Sequence, residues 1–368
     1  MGEDAIDGGR RPIVPVGTST AVLIGHAAHG PINQAVSISG FAAFEQQFGG
    51  LAADLELGYA VQQFFLNGGS SAWAVRAGAD GTDAALRQSI RALDSVDAFN
   101  LLALPGITAP AILAAAADYC RKRRAFLVVD SPPRAGTPSQ MSAAITSGTI
   151  PRTSNGAVYY PWLRITDPLK PGQLRSTPPS GTVLGLIACT DNTWGVWKAS
   201  AGADIVPRGV QGLDHSLNDS EADQLNQLGV NCFRDSPTQG PLLWGARTLA
   251  AGDMAESEWK YVPIRRLALF VDQSVERGTQ WAIFEPNDEK LWAQIQLDVA
   301  AFLFGLFRQG AFQGQKSEDA YFVKCDSTTT TQKDVALGVV NILVGFAPLK
   351  PAEFVIISLQ QMAQPPSA

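Results

Sequence analysis

The feature that most constrains the fold is a series of short, continuously apolar runs with helix-like segments between them. A helical pattern over residues 83–94 leads into FNLLAL at 99–104, and a second over 110–123 leads into AFLVVD at 125–130. A strand that is apolar on both sides must be covered on both faces, as parallel strands of a doubly wound sheet are. We therefore predict a central α/β domain of this type within residues 41–245.

Two strongly periodic helices are predicted in the last third of the chain, between residues 261 and 312. In the first, apolar residues recur at three- and four-residue spacing, with Pro263 in the first turn and Gly278 at the end. The second follows Asn287, a predicted N-cap, and runs to Arg308. Between them, the sequence WAIF at 281–284 has the aromatic and β-branched residues typical of a strand. We therefore predict an α+β C-terminal domain built on this helix pair.

The remaining segments give shorter predictions. We expect further helices over 41–48, 55–66 and 183–198, and strands over 21–25, 72–76, 159–165, 231–234, 242–246, 321–325 and 339–346. The final apolar run, FVIISL, follows a stiff connector bracketed by Pro348 and Pro351. An unpaired apolar strand promotes aggregation, so we expect this one to pair in a sheet of its own chain or of a neighbouring subunit.

Charge and cysteine content exclude several classes of protein. The net charge of −6 and the pI near 5.2 argue against nucleic-acid binding, which needs a basic surface. The basic run from Arg121 to Arg124 ends a predicted helix, where cations complement the helix dipole. The sequence contains no uninterrupted run of about 18 apolar residues, so it predicts no membrane span. The polar, acidic start MGEDAIDGGRR is unlike a signal peptide. The four cysteines show no CxxC spacing, which favours a reducing cytosol over a disulfide framework or a zinc site.

Catalytic and metal-binding patterns are weak. His26 and His29 flank a glycine-rich turn without an accompanying cysteine or carboxylate cluster, so we interpret them as turn residues. Asp130 ends a predicted parallel strand, where α/β folds place their sites, but the Ser131-Pro132-Pro133 that follows favours a turn cap. GxSxG and P-loop patterns are absent from the sequence. A hydrolase-like enzyme using Asp130 and His215 remains the rival hypothesis.

Several stretches carry a family likeness and span nearly the whole chain in order. They include GTSTAVLIGHAAHGPINQAV, LGYAVQQFFLNGGSSAWAVR, PPSGTVLGLIACTDNTWGVWKASAG, RRLALFVDQSVERGTQWAIFEPNDEKLW and GFAPLKPAEFVI. In these stretches the chain resembles the contractile tail sheath proteins of bacteriophages and of related extracellular injection systems. The fourth stretch is the most specific of the set.

The resemblance implies a division of the chain into an inner and an outer part. The inner domain would combine an N-terminal strand region, residues 21–40, with the C-terminal domain, residues 246–350. Residues 41–245 would form the outer domain, with a subtilisin-like topology that implies no enzymatic activity. Extended arms are implied for residues 1–20 and 351–368.

The implied function is structural and needs no cofactor, metal or nucleotide. Sheaths of this family polymerise as a helix around an inner tube and contract, with baseplate and tail-terminator or cap proteins at the ends. The particle would be a phage tail or an extracellular injection system, assembled in the bacterial cytoplasm. A second candidate from the same particle is a non-contractile adaptor or tube-end protein.

The resemblance also assigns roles to residues. Arms that complete the sheets of neighbouring subunits imply strand exchange by Ile13, Val14, Phe354, Val355, Ile356, Ile357, Ser358 and Leu359, with Pro348 and Pro351 as the hinge. The second C-terminal helix would lie nearest the tube, and we expect Lys290, Gln294, Gln296 and Asp298 to face it. One departure is the start of the chain, where MGEDAIDGG stands in place of the PGVYxEE-like donor segment common in the family.

Overall fold

The computed structural model describes residues 11–78, 81–132, 137–250 and 258–351. Eight strands in this part form one sheet in the order β11-β10-β6-β5-β4-β1-β3-β2. They are β1 (Ala21–Gly25), β2 (Ala35–Ile38), β3 (Ala72–Arg76), β4 (Leu101–Ala103), β5 (Phe126–Asp130), β6 (Gly156–Tyr160), β10 (Val230–Ser236) and β11 (Gly240–Trp244). All neighbouring pairs are parallel except at the two edges, where β2 and β11 run antiparallel to their partners. The predicted α/β class is confirmed.

Two smaller sheets accompany the large one. A three-stranded antiparallel sheet has the order β8-β7-β9, from Leu163–Thr166 (β7), Leu174–Thr177 (β8) and Val210–Leu213 (β9). A two-stranded antiparallel sheet pairs Tyr321–Lys324 (β12) with Leu343–Phe346 (β13).

Helices cover both faces of the large sheet. The helices in the described part are α1 (Phe41–Phe48), α2 (Glu56–Leu66), α3 (Asp83–Arg91), α4 (Pro110–Arg123), α5 (Pro138–Thr146), α6 (Ser180–Trp194), α7 (Asp219–Gln227), α8 (Val262–Gly278), α9 (Glu289–Arg308), α10 (Ser317–Ala320) and α11 (Gln332–Ala336). One apolar core joins the sheet to α1, α2 and α6, and a second joins its other face to α3, α4, α5 and α7. The sheet is therefore doubly wound, because its continuous apolar strands need cover on both sides.

The position of β1 corrects the expected division of the chain. We expected residues 21–40 to join the C-terminal domain, but β1 lies inside the large sheet between β4 and β3. Its residues are fully buried, with side chains in both cores. This expectation was wrong because a run that is apolar on both faces is most stable as a central parallel strand.

A third core builds the C-terminal part of the molecule around α8 and α9. Leu267, Phe270 and Val275 of α8 pack there with α9, whereas Val262 and Leu269 of the same helix belong to the core under the large sheet. The two predicted helices are confirmed, and α8 is shared between the two parts of the chain.

The predicted strand at 281–284 is wrong. A short 3-10 helix, Gln280–Ala282, follows α8, and successive turns continue it as the Ile283 amide donates to the Gln280 carbonyl and the Glu285 amide to the Ala282 carbonyl. Aromatic and β-branched residues favour a strand only where a partner strand is available. The N-cap of α9 is Asp288 rather than Asn287, because the Asp288 carboxylate accepts from the amides of Lys290 and Leu291.

Other differences concern element bounds. The strand predicted at 159–165 is two strands, β6 and β7, which belong to different sheets. The strand predicted at 339–346 begins only at Leu343, because a turn centred on Gly338, with φ of 69°, precedes it. Sequence reasoning did not predict β2, β8, β9, α5, α7, α10 or α11 as separate elements. These are short and partly exposed, so their apolar periodicity is weak.

Candidate functional site

Asp130 is a buried structural cap. Its Oδ1 accepts from the backbone amide of Ser180, 2.7 Å away, and its Oδ2 accepts from the Ser180 hydroxyl at 2.8 Å and the Gly106 amide at 3.0 Å. Burial raises the pKa of this carboxyl to about 7, against the lowering effect of these donors. Because Ser180 is the first residue of α6, Asp130 ties the end of β5 to the start of that helix.

The histidines do not complete a catalytic arrangement with Asp130. The centroid of the His215 ring lies 6.4 Å from the centroid of the Tyr160 ring. His215 lines a groove together with residues of α5 and α7. Asp130 accepts its three hydrogen bonds from Gly106 and Ser180, and these donors are not histidines. His26 and His29 lie in the loop after β1, and the described residues include no group of three or more metal-ligating side chains.

The basic run connects the central domain to α8. Arg124 follows the end of α4, and its guanidinium pairs with Asp272 at 2.6 Å and Glu276 at 2.7 Å. Arg123 packs its guanidinium on the Phe99 ring and donates to the carbonyl of Val96. In addition to the helix-end role predicted for it, this basic run therefore connects α4 of the central domain to α8.

A buried ion pair joins three segments of the chain. Arg266 of α8 donates to both carboxylate oxygens of Asp191 on α6, at 2.8 and 2.6 Å, and the two side chains are 4% and 1% exposed. The same guanidinium donates to the carbonyl of Thr18 at 2.9 Å. The N-terminal segment, the central domain and the C-terminal helix pair therefore meet at one cation.

The N-terminal segment from residue 11 to residue 20 lies along α8. Ile13 is 7% exposed and packs on Gly278, where a Cβ atom would lie 2.7 Å from the isoleucine side chain. The Val16 amide donates to the Ser274 hydroxyl, whereas the Val14 side chain is 75% exposed. Of the two residues predicted for N-terminal strand exchange, Ile13 is held by its own chain and Val14 faces outward.

The helix predicted to face the tube shows a different outer face from the one we expected. Lys290 is exposed, but Asp298 is 3% exposed and accepts from the Gln294 side chain at 2.9 Å. The Gln296 side chain accepts from the Cys325 amide of the neighbouring strand end. Asp298 is therefore a wrong assignment: it lies three residues after Ile295 and four before Phe302, on the buried face.

The exposed face of α9 is apolar between two cations. We call it the α9 outer stripe, and it consists of Lys290, Ala293, Leu297, Ala301, Phe304 and Arg308. Leu297 is 48% exposed and Phe304 is 45% exposed. Among the described helices, α9 is the one that is long and apolar enough to cross a membrane by length and composition, and 44% of its most apolar window is buried inside the structure. The spacing of three and four residues could have identified this stripe in the sequence.

The C-terminal connector lies beside an aromatic groove. Pro348 forms a bridge with Phe312, and both Pro348 and Lys350 line a groove of about 660 Å³ together with Tyr261, Ile264 and Phe346. The structure describes the chain as far as Pro351. The predicted exchange residues Phe354, Val355, Ile356, Ile357, Ser358 and Leu359 lie outside the described residues.

The comparisons with known proteins identify the family. The model of the phage tail sheath protein central domain matches residues 78–249, and the model of the phage tail sheath C-terminal domain matches residues 255–361, which together are well over half of the chain. The chain belongs to the phage tail sheath family.

One similar protein is the tail sheath protein of Burkholderia phage BcepMu, at 26% identity over 231 residues, or 60% of this chain. The chain spans 46% of the length of that curated relative.

Solved structures match over nearly the full length. One is the helical sheath of the anti-feeding prophage in its contracted state, with a TM-score of 0.81, 26% identity and 98% of each chain covered. Another is the contracted sheath complex of the extracellular contractile injection system PVC, also with a TM-score of 0.81 and 26% identity, covering 95% of this chain and 93% of the other. Both matches place the chain's fold among sheath subunits.

Proposed function

We propose that this chain is a structural subunit of a contractile sheath, which polymerises helically around an inner tube and contracts without nucleotide hydrolysis. The observation that carries the proposal is the match to a contracted helical sheath over 98% of both chains. The hydrolase hypothesis loses its support because Asp130 is used to cap α6. The adaptor hypothesis has no observation of its own and is an outcome of the test below.

The proposed contraction moves the subunit largely as a rigid body from a metastable lattice to a better packed one. The internal joints support this view, because the central and C-terminal parts share α8 and the buried Arg266–Asp191 pair. Breaking a buried ion pair by removing one partner costs about 3–5 kcal/mol, so repacking between subunits is the easier change.

We propose that residues 354–359 tether neighbouring subunits by adding a strand to the β12–β13 sheet. A sheet of two strands is marginally stable alone, and Tyr261, Ile264 and Phe346 offer apolar contacts to an added segment in the groove beside β13, which the charged Glu258, Lys260 and Lys350 also line. Pro348 and Pro351 would stiffen the connector, and the exposed Val14 would serve the N-terminal contact.

A substitution in the proposed tether tests it. Ile356→Asp places a charge in a strand that must be buried, so we expect a folded monomer that forms no polymers, measured by sedimentation and electron microscopy. Ala363→Asp, which adds the same charge beyond the proposed strand, is the matched control and should assemble normally. Sleeves of normal length from the Ile356 variant would show that this segment is not the tether.

The proposed partners are further copies of this chain, the inner tube protein, and baseplate and cap proteins. We propose that the α9 outer stripe lies against the tube; of the four residues first assigned it keeps Lys290 and leaves out Gln294, Gln296 and Asp298. The proposed location is a phage tail or an extracellular injection particle, with assembly in the bacterial cytoplasm.

Negative-stain electron microscopy of the chain co-expressed with its own tube protein tests the proposed function. Striated hollow sleeves around tubes are the expected result. Single rings at tube ends would favour the adaptor hypothesis, and discrete small particles in the presence of tubes would contradict the sheath proposal.

A further inference from the structure

Phe284 has an unusual backbone and an unusual exposure. Its φ is 75°, in the left-handed region that bulky residues avoid, and its side chain is 102% exposed. Ile283 before it is 62% exposed. Strained residues of this kind persist where the surrounding structure holds them, and they are concentrated at binding sites.

Hydrogen bonds of Asn287 anchor the loop that carries these two side chains. Asn287 accepts from the Trp292 indole at 2.7 Å and donates to the Val339 carbonyl at 3.1 Å, which ties the loop to α9 and to the turn before β13. Glu285, Asp288 and Glu289 are exposed around the tip. The result is an apolar projection with an acidic rim, which we call the Phe284 knob.

An apolar surface with a cation lies elsewhere on the same chain. On the outer face of the β12–β13 sheet, Phe322 is 49% exposed, and Leu343 is 50% exposed beside its register partner, the exposed Lys324. Gly345 lies under the Phe322 ring: a Cβ atom there would be 2.2 Å from it. This face complements the knob in polarity and in charge.

The knob does not pack on this face within one molecule, because the Phe284 side chain is fully exposed and Phe322 and Leu343 are about half exposed. The end of β12 lies beside the middle of α9, since the Cys325 amide donates to Gln296 and the Tyr321 hydroxyl donates to the Ala300 carbonyl. The knob precedes Glu289, the first residue of the helix, and lies near the start of β13, because Ile283 and Phe284 line a groove with Val340 and Ile342. Two different surfaces of one chain that fit each other join copies head to tail, and such contacts build an open helix when the rotation between copies does not close a ring.

We propose that the Phe284 knob of one copy docks on the outer face of the β12–β13 sheet of a second copy, with Phe322 and Leu343 under the ring and Lys324 opposite the acidic rim. The proposal rests on the proposed sheath function and deepens it by naming the surfaces of one contact between subunits.

Substitutions of Phe284 distinguish an effect on the stability of the monomer from an effect on assembly. Phe284→Gly removes the ring and relieves the left-handed strain, so the melting temperature of the monomer should stay equal or rise, while the critical concentration for polymerisation rises about tenfold or more. Phe284→Tyr keeps the ring and should assemble like the wild type. Leu174→Ala, at an exposed leucine of β8, is the matched control. Wild-type assembly by Phe284→Gly would overturn the proposal.

Charge reversal identifies the docking partner. Glu285→Lys and Lys324→Glu should each weaken assembly several-fold, and the double variant should recover most of the loss, because the reversed charges attract again. Effects that simply add in the double variant would overturn the pairing.

Photo-crosslinking keeps the proposal testable if no sleeve forms and the sheath function itself fails. With p-benzoylphenylalanine at position 284 of the concentrated chain, mixed with its inner tube protein, the expected product joins two copies and maps to residues 321–324 or 343–346. A product with the inner tube protein, a product with residues 352–368, or no product between copies would overturn it.

Discussion

At the scale of single residues, Asp130 shows how a site-like position becomes structural. It ends a parallel strand at the edge where α/β folds bind ligands, yet its carboxylate accepts three hydrogen bonds from Gly106 and Ser180 and is 2% exposed. Burial keeps its pKa near 7, far above the ordinary value of 3.8. We therefore expect the protonation of Asp130 to make the free energy of unfolding depend on pH.

The folded chain holds a proton on Asp130 between about pH 4 and pH 7 that the unfolded chain has released. The free energy of unfolding therefore contains a term that falls as pH rises through this window, by a few kcal/mol at most, since one pKa unit is about 1.4 kcal/mol. Asp130→Asn, which does not titrate, should lose this slope in urea titrations performed from pH 4 to pH 7.5.

Asp235→Asn is the matched control for that experiment, because Asp235 is an exposed aspartate of β10. It should keep the wild-type slope. An unchanged slope in Asp130→Asn would show that this carboxyl does not titrate in the window.

At the scale of elements, α9 is apolar on its outer as well as its inner face. A surface helix normally carries polar residues outside, so the α9 outer stripe supports the proposed contact with the tube. Its cations, Lys290 and Arg308, stand at the two ends of the helix, and apolar residues occupy the space between them.

Leu297→Asp should prevent the chain from co-sedimenting with assembled inner tubes, because it puts a charge in the centre of the proposed contact. The free energy of unfolding should change by less than about 0.5 kcal/mol, as for other exposed positions. Leu174→Asp, at a leucine of similar exposure on β8, is the control. Normal co-sedimentation of the Leu297 variant would place the tube contact elsewhere.

At the scale of the whole molecule, α8 connects the two ends of the described chain. Arg11 packs on Trp281 just past its last residue, whereas Lys350 lines the same groove as Tyr261 and Ile264 at its first turn. A helix of 17 residues is about 25 Å long. If the two ends of the chain bind neighbouring copies, a force between those copies is transmitted along α8. The ion pairs of Arg266 and Arg124 connect this helix to the central domain.

Much of the fold followed from the sequence alone, because strong periodicity reflects burial directly. The runs that became β1 and β4 are apolar throughout, those that became β3 and β5 are apolar up to their last residue, and α8 and α9 each show helical periodicity in their buried residues. The family stretches were equally explicit, and the matched domain models confirm them.

The tertiary structure decided what depends on distant neighbours. Residues 281–284 have strand-forming side chains but pair with none of the described strands, so local turns prevail and Phe284 projects outward. Asp298 is hydrophilic, yet the direction of its helix buries it. The placement of β1 and the Arg266–Asp191–Thr18 junction likewise depend on contacts across more than 40 residues, which local pattern does not encode.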